Sequence, residues 1–210
     1  MTDNKHPKHE TSLFIVKPDG VQRGLIGEIM SRFERKGLKV AAAKLVKPTM
    51  EQARKHYSSL DEAWCKKVGG YVKAAYDEQG LDFTYESELE AGKAVKESLV
   101  GYLSCGPIMV ILIQGAHAVT HVRKLLGSTN PLEADIGTIR GDFTVESIVM
   151  ANSFDRTVRN IAHASESVEE AERETKVWFE ESEIVNYDMA IDNILYDPTW
   201  DKIGDENLDI

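Results

Sequence analysis

An α+β fold is predicted: a ferredoxin-like, split βαβ architecture with an antiparallel four-stranded sheet, helices on one face, and an inserted helical hairpin. Three observations carry it. Four short apolar runs, in "TSLFIVKP", "LKVAAAKLVKP", "CGPIMVILIQG" and "NIAHAS", are bounded by glycine, proline or small polar residues, as strands are. Runs with apolar residues three and four apart lie between and after them, giving the order β-α-β, helices, β-α, long loop, β-α. No internal repeat is present, and 210 residues suffice for one domain with a real core.

Each element has a local reason. Proline ends the first strand in "TSLFIVKP". In "GLIGEIMSRFERKG", Ile26, Ile29, Met30 and Phe33 share a helix face, and Gly37 suits a C-cap. Thr49 stands at the N-cap of "TMEQARKHYSS". Trp64, Val68, Val72 and Ala75 fall on one face of a helix over 61–79, and Ala91, Val95, Leu99 and Tyr102 on one face of a helix over 88–103. Together they predict a hairpin that turns at "QGLDFTYE" and packs on the domain. Gly127 stops the helix "AHAVTHVRKLLG", and "STNPLEADIGTIRGDF" reads as a long ordered loop. Ser167 and Glu170 form a capping box for the helix "SVEEAERETKVWF".

The domain layout is then a flexible tail over 1–10 and a single domain over 11–196. The helical insertion spans about 61–105 and an extended loop about 144–158. An acidic extension follows over 197–210. Hydrophobic residues make up 42% of the chain, so it buries a core. A net charge of −10 opposes duplex nucleic acid or a membrane surface as partner, yet allows a small phosphate ligand held by a few local cations. Cys65 and Cys105 form no CxxC pair and read as free thiols. The polar N-terminus and the shortness of "IMVILI" argue against a signal peptide and a membrane span. A soluble, cytoplasmic protein is expected.

The chemistry centres on one histidine and a few cations. No GxxxxGK[ST] or GxGxxG is present, so bound phosphates would need side-chain cations. Lys17 ends the first strand in "VKPDGVQRG". Arg123 in "HVRKLLG" and Arg140 in "GTIRGDF" carry forks that suit phosphate oxygens. His163 sits in "IAHA", where alanine or valine would pack more easily. By themselves these residues could equally be surface cations and a satisfied core histidine. His117 and His121 share the spacing of two ligands on one helix face but have no third, and read as surface; His6 and His9 fall in the tail, and His56 has no assigned role.

Four segments in order, "VKPDGVQRG", "LLGSTNP", "GTIRGDF" and "RNIAHASESVEEAERE", closely resemble the nucleoside diphosphate kinase family, from about Thr11 to Tyr196. The resemblance implies transfer of the γ-phosphate of a nucleoside triphosphate to a nucleoside diphosphate, through a phosphohistidine, in a ping-pong cycle. It implies His163 as the phosphorylated nucleophile, Glu174, eleven positions on, as the carboxylate that orients the imidazole, and Ser165 as a third member of that set. Lys17 and Asn160 match groups that meet the sugar 3′-hydroxyl and phosphates; Tyr57, Arg123, Thr129 and Arg140 match the remaining phosphate-side groups. Mg²⁺ on the nucleotide phosphates, ribo and deoxy substrates with any common base, and a homo-oligomer are implied as well. The chemistry fits: an imidazole attacks only when neutral, and a carboxylate on its other nitrogen fixes the tautomer and steadies the developing charge. The chain departs from the family pattern in Ala164, which follows the histidine in place of glycine, in the long insertion, in the extended 144–158 loop and in the acidic tail. The base-stacking ring has no direct match, and Trp64 is its candidate. The rival reading is a nucleotide-sensing or scaffold protein on the same fold, against which the presence of Lys17, Arg123, Arg140, Asn160, His163 and Glu174 argues.

Overall fold

A computed structural model describes residues 9–78, 80, 82–154 and 156–202. Residues 1–8 of the expected 1–10 tail, with His6, the turn residues Gln79 and Leu81, Asp155 of the expected 144–158 loop, and the last part of the acidic extension, 203–210, lie outside them. Along the chain run β1 (Thr11–Val16), α1 (Pro18–Gln22), α2 (Ile26–Arg35), β2 (Lys39–Val46), α3 (Met50–His56), α4 (Glu62–Glu78) and α5 (Glu88–Ser104). Then come β3 (Ile108–Gln114), α6 (Ala118–Leu126), α7 (Ile139–Phe143), α8 (Ile148–Ser153), β4 (Ala162–Ala164), α9 (Val168–Trp178) and α10 (Asp192–Tyr196). The strands form one antiparallel sheet in the order β2-β3-β1-β4, the split βαβ arrangement expected.

The helices do not keep to one face, as the sequence pattern had suggested. Leu13 and Ile15 of β1 point into a core shared with Ala53, Val100, Leu103 and Trp178, from α3, α5 and α9. Phe14 and Val16 point into a second core with Ile29, Phe33, Val122, Leu126 and Ile139, from α2, α6 and α7. All four β1 side chains are fully buried. The physical sign was present: "SLFIV" and "IMVILI" are apolar without alternation, as strands covered on both faces are.

Local signals explain most boundaries. Thr49 accepts the Gln52 N–H while the Gln52 side chain takes the Thr49 N–H, both halves of a capping box. Ser167 accepts the Glu170 N–H at the start of α9. After Lys17 the chain forms the short helix α1, begun by Pro18. Within the expected long loop lies α7, and within the 144–158 stretch lies α8, beside a 2.7 Å ion pair of Arg156 with the buried Glu146. Past α9 the chain lies along β2: the Val185 N–H donates to the Ala41 carbonyl and Lys39 Nζ to the Tyr187 carbonyl.

The expected hairpin forms from α4 and α5, but its seam is built from small residues rather than the large apolar stripe. Cys65 and Gly69 on α4, with Ala91 and Gly92 on α5, are buried, whereas Trp64, Val68, Val72 and Ala75 are half-buried flanks. A Cβ on Gly69 would stand 1.6 Å from the Glu88 carbonyl oxygen, and one on Gly92 1.8 Å from that of Cys65. The backbones therefore touch where only glycine fits.

This gives a paired prediction. Gly92→Ala should lower the melting temperature despite alanine's better helix propensity, because the clash is with backbone. Gly101→Ala, where an added Cβ meets nothing within 4 Å, should raise stability by up to about 1 kcal/mol. Thermal unfolding of both variants checks the seam; a stabilised Gly92→Ala would contradict it.

Candidate active site

His163 is the middle residue of β4 and pairs with Ile15 of the central strand. The sheet therefore fixes its backbone, while its side chain keeps about 20% exposure. Glu174, one and a half turns into α9, is buried and lies 2.8 Å from His163 Nε2 through Oε1. The Ser165 hydroxyl donates to its other oxygen at 2.5 Å and also lies within bonding reach of the Leu13 backbone. Burial works against the charge on Glu174, but His163 above all, with the Ser165 hydroxyl, outweighs it and holds the carboxyl below its usual range. An ionised carboxylate on Nε2 is met by an N–H there, which leaves Nδ1 as the imidazole's open nitrogen.

The chain enters β4 through a strained turn. Ile161 has φ +69°, and the Ala162 N–H bonds the Asn160 carbonyl at 2.7 Å across it, a γ-turn of the rarer, positive-φ kind. For a β-branched residue this costs on the order of 1–3 kcal/mol. Both Ile161 polar groups are taken: its N–H by Asp19 Oδ2 at 3.1 Å and its carbonyl by the Lys17 N–H at 2.7 Å. Asp19 also accepts the Tyr102 hydroxyl at 2.5 Å. Asp19 and Tyr102 were not among the expected site residues. Long-range pairs such as these leave no periodic trace in a sequence.

Three cations face the same end of the sheet. Lys17 is buried, donates to Asn160 Oδ1 at 2.8 Å, and stands 5.2 Å from the Tyr102 ring centre. Burial, then the charge of Arg140, bring it down to about 7 against the pull of Asp19. Arg140 is buried too, and burial, with Arg123, brings it down to about 10. Its Nε–H goes to the Asn160 carbonyl, Nη1 to those of Gly127 and Ser128, and Nη2 to that of Ala162. Most of this guanidinium's donors are therefore spent on the backbone. Arg123, on α6, is half-exposed and only 3.9 Å from the exposed Glu166.

The remaining expected residues fall into place unevenly. Asn160 Nδ2 donates to the Thr129 carbonyl, which joins Thr129 to Lys17 through one amide. Tyr57 is buried below α3, its ring edge on His56, with its phenol raised by burial and by Glu174. Trp64 is not brought to this cluster by its described contacts: it is half-buried on α4, and its backbone N–H donates to Asp61 Oδ1. His117 precedes α6 and, with His121, gathers no third ligand among the described residues.

Fold and site define a class: an α+β protein in which a strand-borne imidazole, backed by a buried carboxylate, shares one end of the sheet with cations held mainly by neutral acceptors. A family model described as nucleoside diphosphate kinase matches residues 10–65 and 73–184. The chain is 45% identical over 180 residues to a nucleoside diphosphate kinase of Pyrobaculum aerophilum, covering 84% of this chain and 98% of that one. A crystal structure of an NDP kinase from Pyrobaculum aerophilum has a TM-score of 0.81 at 42% identity, covering 85% of this chain and 100% of that one. A Borrelia burgdorferi nucleoside diphosphate kinase, a transition state mimic with bound vanadate and ADP, has a TM-score of 0.72 at 35% identity, with 90% and 98% covered. The chain belongs to the nucleoside diphosphate kinase family, kinases that transfer the γ-phosphate of a nucleoside triphosphate to a nucleoside diphosphate.

Lys17 generates a pH prediction. Its folded value of about 7 lies below the ordinary lysine value of about 10.4. Between the two, the unfolded chain holds a proton that the folded one has released, so this group makes stability rise with pH across that window. An anionic phosphate beside the amine would favour the ammonium. ADP binding at pH 8 should take up a proton, seen as a buffer-dependent binding enthalpy, and Lys17→Met should abolish the uptake. Uptake that persists in the variant would assign it elsewhere.

Proposed function

We propose that His163 carries the phosphoryl group between donor and acceptor nucleotides through Nδ1. The observation that supports this most directly is the 2.8 Å contact of Glu174 with Nε2, which leaves the other nitrogen free on a half-open ring. In the first half-cycle Nδ1 bonds the γ-phosphorus, the bond to the bridging oxygen breaks, and its electron pair leaves with the diphosphate. The proton stays on Nε2, where Glu174 balances the charge that the ring gains. In the second half-cycle a terminal oxygen of the acceptor diphosphate takes the phosphorus, and the N–P bond breaks. Phosphoryl transfer asks for in-line placement and positive charge more than for covalent help. Lys17 and Arg123 supply that charge directly. Arg140 supplies field and frame, while Asn160, Thr129 and Tyr57 hold the walls.

Mg²⁺ fits this reading as a metal that arrives on the nucleotide. Among the described residues, the group close enough to share an ion is His56, His163 and Glu174, with two imidazoles to one carboxylate. Mg²⁺ prefers oxygen ligands, which phosphates and water provide. Bound there, it would offset negative charge on the phosphates. Recognition through phosphate, sugar and stacking would accept ribo and deoxy nucleotides of every common base; Trp64, the stacking candidate, would have to reach the base from α4, outside the cluster described above. Exposed apolar side chains at Leu132, Ile136, Val145, Val149 and Phe154 support assembly into a homo-oligomer. No helix among the described residues is long and apolar enough to cross a membrane. The thiols of Cys65 and Cys105, free in the structure, support a reducing cytoplasmic setting, and the net charge of −10 argues against nucleic acid as partner.

Incubation with γ-labelled ATP should leave acid-labile, base-stable label on His163. His163→Asn should abolish labelling and phosphate exchange while nucleotide binding survives. Glu174→Ala should slow transfer about tenfold to a hundredfold. Label mapped to another residue would overturn the assignment.

A further inference from the structure

The histidine without an assigned role, His56, is the ring that packs against His163 among the described residues. It ends α3, is 1% exposed, and stands edge-to-face to His163 with ring centres 4.6 Å apart and planes at 86°. Trp178 Nε1–H donates to its Nδ1 at 3.2 Å. An indole nitrogen can only donate, so Nδ1 is an acceptor and the ring proton sits on Nε2. That Nε2 is buried without a hydrogen-bond partner. Phenylalanine would fill such a space without an unmet donor, so packing alone does not explain the histidine.

The corner that carries His56 is also pinned. Arg173 Nη2 donates to the His56 carbonyl at 2.8 Å and Nη1 to that of Lys55 at 3.1 Å. These bonds tie α3 to α9, the helix that bears Glu174 and Trp178. His56 Nδ1 lies 3.8 Å from Glu174 Oε1, beyond hydrogen-bond range. With a lone pair on Nδ1, His56 makes no claim on that oxygen. A proton there, in the other tautomer, would offer that oxygen a second imidazole donor in competition with His163.

We propose that His56 is a positioning residue for phosphoryl transfer: its imidazole, fixed by Trp178, braces the His163 ring and keeps a second imidazole N–H away from Glu174 Oε1, which His163 Nε2 meets at 2.8 Å and the Arg173 guanidinium approaches only to 3.8 Å. This rests on His163 as the phosphoryl carrier and adds no step to the chemistry. The charged and titratable groups that face His56 are Tyr57, His163, Glu174, Arg173 and Lys17. Burial foremost, then His163, with smaller contributions from Arg173 and Lys17, hold its pKa well below the usual imidazole value against the pull of Glu174. That agrees with a ring that stays uncharged.

The test is single-turnover labelling of the full chain by γ-labelled ATP, well below the melting temperature, with nucleotide affinity measured alongside. His56→Phe removes the acceptor, so Trp178 no longer fixes the ring that braces His163. Trp178→Phe keeps core volume and frees His56 to place its proton on the Glu174 side. Both should slow labelling about tenfold or more with little change in nucleotide Kd, since neither side chain touches nucleotide in this reading. His56→Gln, whose oxygen can still accept from Trp178, should recover part of the rate. Nitrogen NMR of the nucleotide-free protein should show His163 protonated on Nε2, and a mixture of tautomers in Trp178→Phe. Wild-type rates in folded His56→Phe and Trp178→Phe would overturn the proposal, as would rate losses matched by losses of affinity. A wild-type protein that never labels His163 would overturn the carrier reading and this one with it.

Discussion

One buried guanidinium holds the working end of the sheet. Arg140 sits among the carbonyls of Gly127, Ser128, Asn160 and Ala162, so it staples the end of α6 to the chain that enters β4. Such a cation stays inside only because each of these carbonyls meets an N–H of its planar fork. Lysine could not reach four acceptors in two segments. The strained Ile161 turn, the placement of Asn160 and the aim of His163 all follow from where that fork fixes the backbone.

The staple also sets the electrostatics. Arg140 lowers Lys17, and Arg123 lowers Arg140, so the three charges press on one another in a chain whose net charge is −10. Their near neighbours are mostly neutral acceptors: the Asn160 amide and backbone carbonyls. Such a site is unfavourable when empty and favourable around a polyanion. Local cations, rather than global charge, decide which ligand enters.

Much of this was legible in the sequence. Strands, caps and the hairpin follow from periodicity and turn chemistry, and the eleven-residue step from His163 to Glu174 spans a strand end, a cap at Ser167 and the helix turns that bring the carboxylate back. Other features were hidden for physical reasons. That helices cover both faces shows only as missing alternation in short runs, which a buried helix segment shares. The glycine seam of α4 and α5 depends on how close two backbones come, which side-chain patterns do not report. His56 and Trp178 are 122 positions apart and Asp19 and Ile161 142, so their contacts exist only in three dimensions. Arg140 was identified by type, but type could not tell that its donors would turn inward.

The Ile161 turn has a consequence at the sheet margin. β4 is an outer strand, and it carries His163, whose side chain keeps about 20% exposure. A long flat strand there would offer a row of bare amides and carbonyls to any passing chain. The reversal at Ile161 limits β4 to three residues, too few to template the addition of a foreign strand. At the opposite margin, the segment through Val185 and Tyr187 lies over β2. The sheet thus guards one border by covering it and the other by keeping it short, and the His163 ring keeps its exposure without baring a long strand edge.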